Sequence, residues 1–146
     1  TGASACSEPA FWETGLLHES DWSAAWIGLD VSGGAPDRGT PSPVLRKSFS
    51  LRARPASARL YVSALGLYEV WLNGRRVGAD ELAPGWTDYT KRVPYQVHDV
   101  SAALRAGDNT LGALLGDGWY CGHVCWKGRA IYGDRPWLLA QLEVVY

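Results

Sequence analysis

The chain predicts an all-β sandwich, and three observations carry that prediction. Short apolar runs are separated throughout by clusters of Gly, Pro and Asp, the punctuation of many short strands. The 146 residues include 17 Gly and 8 Trp but no Met. A single stretch, Asp99 to Gly107, has a helical pattern: Asp near its start, Ala-Ala-Leu-Arg in its middle and Gly at its end, enough for a turn or two.

The elements follow in order. Gly33 to Pro43 is rich in Gly and Pro and reads as a flexible surface loop. Val44 to Leu51 is the first expected strand. Leu60 to Leu65 and Leu67 to Leu72 are the next two, and Gly66 between them marks a bulge or sharp bend. In the second of these, Tyr68, Val70 and Leu72 share one face while Glu69, Trp71 and Asn73 share the other, as a half-buried strand requires. Asn73-Gly74 is a turn that tolerates positive φ, and Arg75 to Gly78 is expected to return as the partner strand. Val93 to Val97, Thr110 to Leu115 and Trp137 to Tyr146 complete the set. In the last, Leu138, Ala140, Leu142, Val144 and Tyr146 alternate against Gln141 and Glu143. The total is about seven or eight strands.

Composition limits the function classes. A chain of this length buries roughly two-thirds of its unfolded surface and is expected to form one domain. With 14 Lys and Arg against 15 Asp and Glu, it has neither a nucleic-acid footprint nor a polybasic membrane patch. It contains no apolar run of about 18 residues and no visible signal peptide. Cys121, His123 and Cys125 suggest zinc, but no second ligand pair follows at suitable spacing; Cys121 and Cys125 read either as a small disulfide or as ordinary thiols, and Cys6 stands apart.

No catalytic set is expected. Asp80, Glu81, Asp88, Asp99, Asp108, Asp117 and Asp134 lie mostly in Gly-rich turns, where Asp commonly satisfies backbone N–H groups. His18, His98 and His123 have no local nucleophile beside them.

An ordered set of motifs runs through the chain: Pro43-Val44-Leu45-Arg46-Lys47-Ser48-Phe49, the Leu72-Asn73-Gly74 hairpin, Leu82-Ala83-Pro84-Gly85-Trp86-Thr87-Asp88-Tyr89, Lys91-Arg92 to Tyr95-Gln96, Asp99-Val100, Gly107-Asp108-Asn109 and Leu115-Gly116-Asp117-Gly118-Trp119-Tyr120. In this order the chain, from about Trp22 to Tyr146, resembles the N-terminal β-sandwich module of bacterial α-L-rhamnosidases of glycoside hydrolase family 78. The resemblance implies a jelly-roll-type β-sandwich, galactose-binding-domain-like, for residues 26–146. Residues 1–25 resemble a connector from a preceding fibronectin-like domain, although Cys6 stands where that family usually shows Trp. It also implies a bacterial protein, with secretion favoured over the cytoplasm, whose parent is an inverting glycosidase. Inversion needs two carboxyl groups about 6.5 to 9.5 Å apart. In this family they come from an (α/α)₆ barrel, which this chain does not contain.

Two readings of the module remain. Some family members carry a version of the sandwich, carbohydrate-binding module family 67, that binds terminal L-rhamnose with calcium. Such a site needs aromatic faces to stack on a sugar ring and oxygen donors to hold a hard cation. On this reading Trp86, Asp88, Asp117, Trp119, Tyr120, Trp126 and Tyr132 are the expected ligand-binding residues, and Asp80, Glu81, Asp134 and the carbonyl of Pro136 are the expected calcium donors, provided that loops 79–89 and 116–137 meet. Trp71 is a further aromatic candidate. On the second reading the sandwich braces the catalytic barrel, the same aromatics pack against other domains of the polypeptide, and it binds no ligand of its own.

Overall fold

The computed structural model describes residues 2, 5–30 and 41–146. Seven antiparallel strands form two sheets among them: β1 (Val44–Leu51), β2 (Ser57–Leu65), β3 (Leu67–Leu72), β4 (Arg75–Arg76), β5 (Gln96–Asp99), β6 (Gly107–Gly116) and β7 (Trp137–Val145). One sheet has the order β1-β6-β3-β4 and the other β5-β2-β7. The expected loop at 33–43 lies, for residues 33–40, outside the described residues.

The core lies between the sheets and follows the period of two. β3 alternates half-buried and buried along its length, with Tyr68, Val70 and Leu72 inward. They meet Ala58, Leu60, Val62 and Ala64 of β2, Ala113 and Leu115 of β6 and Leu138 of β7, with Ala83, Val100 and Leu104 closing the ends. Each of the larger aliphatic side chains contributes roughly 1.5–3 kcal/mol by leaving water.

Gly66 is where the chain changes sheet. It separates β2 from β3, has φ of 119°, and a side chain there would collide with the carbonyl of Gly116. Asn73 and Gly74 have φ of 52° and 81°, the paired positive values of a tight hairpin whose twist matches its strands. The Asn73 side chain also ties the turn to its neighbours, donating to the carbonyl of Ala103 at 2.9 Å and to Asn109 Oδ1 at 2.8 Å, and accepting from the Thr110 amide at 2.9 Å.

Four expected elements are displaced. β4 ends at Arg76 instead of Gly78, because Gly78, with φ of 75°, turns the chain beside His98. β5 runs from Gln96 to Asp99, later than the expected Val93 to Val97. Pro94 has no N–H for a ladder, and its carbonyl accepts from Ser63 Oγ at 2.7 Å. β6 begins at Gly107 and β2 at Ser57, each three residues early. The helical pattern after Asp99 yields one 3₁₀ turn, Ser101–Ala103, because Asp99 Oδ1 accepts from the Ser101 hydroxyl at 2.6 Å and its amide at 3.0 Å, a local bond that competes with helix.

Both faces of β2 are buried, which simple alternation does not predict. Its outer face is covered by residues 13–28. Trp22 packs edge-on against Tyr95 at 5.4 Å and Tyr61 at 6.3 Å, and Glu13 pairs with Arg59. Gln141, expected to face water from β7, is 7% exposed: its Oε1 accepts from the amides of Ser23 and Ala24, and its amide donates to the carbonyl of Asp21. Ile27 then exchanges two backbone hydrogen bonds with Leu138, at 2.9 and 2.8 Å, extending the sheet.

Candidate functional site

Loops 79–89 and 116–137 meet. Trp86 and Trp119 stack with ring centroids 6.3 Å apart and planes inclined by 23°. Tyr89 lies edge-on to Tyr120 at 5.2 Å and to Tyr132 at 5.1 Å. Five rings from the two loops therefore share one end of the sandwich, and the Trp86 ring is 60% exposed.

The first loop is held from below. The Ala83 carbonyl accepts from the Tyr68 amide at 2.9 Å, and Tyr68 Oη donates to Gln96, whose amide donates to the Pro84 carbonyl at 3.3 Å. Burial, aided by the charge of Asp80, pushes the Tyr68 phenol far above its ordinary value, so it acts as a neutral donor. Gly85, at φ of 98°, turns the chain that carries Trp86 outward.

The second loop is tied at its base. A side chain at Gly66 would touch the Gly116 carbonyl, the Asp117 carbonyl and Pro136, so the absence of one lets both ends of the loop close over the sheet crossing. Asp117 pairs with Arg129, and its carbonyl accepts from the Cys121 amide at 3.2 Å. Burial, with Asp117 adding to it, pushes the Cys121 thiol up to about 12, which leaves it inert. Cys121 and Cys125 are not bonded to each other. Gly133 lies so close to the Tyr120 ring that no side chain fits between them.

The carboxylates expected to bind a ligand are mostly engaged within the chain. Glu81 accepts from Arg76 at 2.9 Å, and that bond holds its carboxyl below the usual range. Asp88 accepts from the Thr90 hydroxyl at 2.6 Å and lies 3.2 Å from Lys91; the Thr90 bond leads the lowering of its pKa. Arg135 grips Asp134 through two bonds, at 3.1 and 3.0 Å, which lower that carboxyl too. Among the described residues the Asp80 carboxylate has no hydrogen bond or ion pair, although its charge is felt by His98, whose pKa burial lowers.

These residues do not form a ready calcium cage. A calcium ion takes roughly six to eight oxygen ligands. Among the described residues no three acidic, His or Cys side chains group to hold a metal. Asp80 and Glu81 lie by Arg76, while Asp134 lies by Arg135, and Pro136 is buried with its carbonyl toward Gly28. Trp126 is 92% exposed on the 3₁₀ turn Cys125–Lys127 and joins none of the ring contacts of the cluster, and Trp71 is half-buried on the outer face of β3.

Sequence reasoning missed the basic partners: Arg76, Lys91, Arg129 and Arg135. Arg135 directly follows Asp134 and Lys91 follows Asp88 by three, so both were visible as neighbours. Arg129 is twelve residues from Asp117, and only the folded loop joins them.

Comparisons with known proteins agree with this architecture. Residues 53–146 match the family model described as the α-L-rhamnosidase N-terminal domain. An α-L-rhamnosidase of Streptomyces avermitilis is 50% identical over 95% of the chain, which spans 14% of that relative's length. The crystal structure of native α-L-rhamnosidase from Aspergillus terreus superposes with a TM-score of 0.82 at 42% identity, over 89% of this chain and 15% of that one. The crystal structure of the Streptomyces avermitilis α-L-rhamnosidase complexed with L-rhamnose gives 0.69 at 58% identity, over 70% of this chain and 10% of that one.

Proposed function

The chain belongs to the α-L-rhamnosidase N-terminal domain family, and from that premise we propose that it is a non-catalytic accessory module that binds rhamnose-containing glycans for a larger glycoside hydrolase. The observation that carries the reading is the stacked Trp86–Trp119 pair at the meeting of the two loops, with Trp86 exposed and Trp119 half-buried. A pyranose ring has an apolar face that stacks on an indole, and nearby polar groups then fix its orientation. The Asp80 carboxylate, which has no hydrogen bond or ion pair among the described residues, and the phenols of Tyr89, Tyr120 and Tyr132 supply such groups.

On this reading the acid and base of hydrolysis lie elsewhere in the polypeptide, and the module raises the local concentration of substrate. Effective concentrations for linked modules reach the millimolar range, so a weak site is sufficient. No step in the reading depends on a cation.

Calorimetric titration of the domain with L-rhamnose tests it. Binding with a Kd on the order of 1 mM is expected, weakened at least about tenfold by Trp86→Ala or Trp119→Ala. Heat that is absent at saturating sugar, or unchanged in both variants, rejects it.

The second reading is that the surface packs against the rest of the polypeptide. Trp126 at 92% exposure, with Phe11 at 81% and Trp12 at 80%, favours it for those three residues. They lie outside the Trp86–Trp119 pair, so one module accommodates both roles. Crosslinking through Trp126-flanking positions in the whole protein separates them: capture of another domain supports packing there, and its absence removes it.

A further inference from the structure

We infer that the positive charge of this site is built into the chain: Arg76 holds the place a divalent cation would take beside Glu69, Asp80 and Glu81, and the module needs no calcium. The inference bears on the glycan-binding reading, because it removes a cation from it, but its test reads stability and stands apart from whether sugar binds.

Three oxygens from two segments converge on one guanidinium. Arg76 Nη1 donates to Glu81 Oε1 at 2.9 Å, while Nη2 donates to the Asp80 carbonyl at 2.9 Å and more loosely to Glu69 Oε1 at 3.4 Å. The fold brings them together. Arg76 lies opposite Trp71 in the β3–β4 register, Glu69 precedes Trp71 by two residues on the same outward face, and Gly78 turns the chain so that Asp80 and Glu81 return beside Arg76.

A planar guanidinium with several fixed N–H donors matches two carboxylates and a carbonyl at one edge, as a fork matches its acceptors. A calcium ion matches the same oxygens only by displacing it. The ion would then meet a cation tethered within a few ångströms and would still lack most of its roughly six to eight ligands. Asp134 and Pro136, the remaining donors, are held by Arg135 and buried beside Gly28 respectively. The arrangement is partly open to water, with side-chain exposures of 34% for Arg76, 41% for Glu69 and 72% for Glu81. Its contribution to stability is therefore small, and its consequence is selectivity for a built-in charge over a diffusible one.

Thermal unfolding of the chain, with calcium chloride at about 10 mM and separately with a chelator, gives the test. A cation site with a Kd on the order of 1 mM, as in weak extracellular modules, would raise Tm by several degrees under these conditions. The wild type is expected to shift by less than about 1 °C in either arm, and Arg76→Met to unfold about 2–4 °C lower, with calcium restoring part of that loss by neutralising Glu69 and Glu81. A wild-type Tm that rises with calcium or falls with the chelator overturns the inference. So does an Arg76→Met variant that matches wild type, or one whose loss calcium leaves untouched. If Arg76→Met does not fold, Arg76→Lys keeps the charge and is expected to remain as indifferent to calcium as wild type; a calcium-dependent Tm in that variant counts against Arg76 as the resident cation.

Discussion

Asn109 does far more than the turn role that Gly107-Asp108-Asn109 suggests. It is 1% exposed, and all its polar capacity is used: Oδ1 accepts from the Arg105 amide at 3.1 Å and from Asn73, while the side-chain amide donates to the carbonyls of Arg105 at 2.8 Å and Gly107 at 2.9 Å. A buried polar group left unpaired costs about 1–3 kcal/mol. Asn109→Ala strands two carbonyls, an amide and the Asn73 side chain, and is expected to lower stability by about 2–4 kcal/mol in urea unfolding, with an unchanged m-value. Asn109→Asp is expected to fare no better, since a carboxylate cannot donate to the two carbonyls it would face. A loss below about 1 kcal/mol in both would show that water replaces the network. The Asn-Gly hairpin was legible because positive φ leaves a mark in the sequence. The Asn73–Asn109 bond spans 36 positions and leaves none.

At the scale of elements, the strands that could be placed from the sequence are those whose two faces differ. β3 faces core and solvent and was assigned residue by residue; β2 faces core on one side and residues 13–28 on the other, so its buried outer face was not foreseen. β5 was misplaced because apolar Val93 and Val97 bracket a proline that cannot join a ladder. The N-terminal segment makes its own prediction. Trp22 packs on Tyr61 and Tyr95, Asp21 Oδ2 accepts from the amides of Leu17 and His18 at 3.0 Å each, and Gln141 binds Ser23 and Ala24. Deleting residues 1–22 removes the indole and exposes both tyrosines, and is expected to lower the unfolding free energy by roughly 2–4 kcal/mol. Gln141→Leu, which keeps the segment but strands its amides, is expected to lose about 1–3 kcal/mol. Full stability in the truncated chain would mark the segment as a passive tether.

At the scale of the whole molecule, the site depends on strand order. The expected sugar residues lie in two loops separated in sequence by two strands, β5 and β6, and alternation says which way a side chain points but not which loops become neighbours. Gly66 decides it, by passing the chain between sheets where both ends of loop 116–137 are anchored. The aromatic residues were legible as candidates because Trp and Tyr cluster in Gly-rich loops. The ion pairs that occupy the carboxylates were less so: Lys91 and Arg135 stand near Asp88 and Asp134 in sequence, but proximity alone does not show that a bond forms, and Arg129 reaches Asp117 only through the folded loop. This dependence concentrates in Gly133, whose missing side chain lets Tyr120 reach Tyr89 across the two loops. Gly133→Ala must push the Tyr120 ring away, a movement that a half-exposed side chain makes at little cost to the core. Unfolding is therefore expected to shift by no more than about 1 kcal/mol, while affinity for L-rhamnose falls several-fold as the Tyr89–Tyr120 contact opens. Tyr120→Ala should reproduce the affinity loss, and the double variant should add nothing to it, since both changes remove the same ring from the same place. Losses that add would mean that Gly133 serves the backbone of its own loop. Affinity unchanged in all three would place sugar binding on the Trp86–Trp119 pair alone.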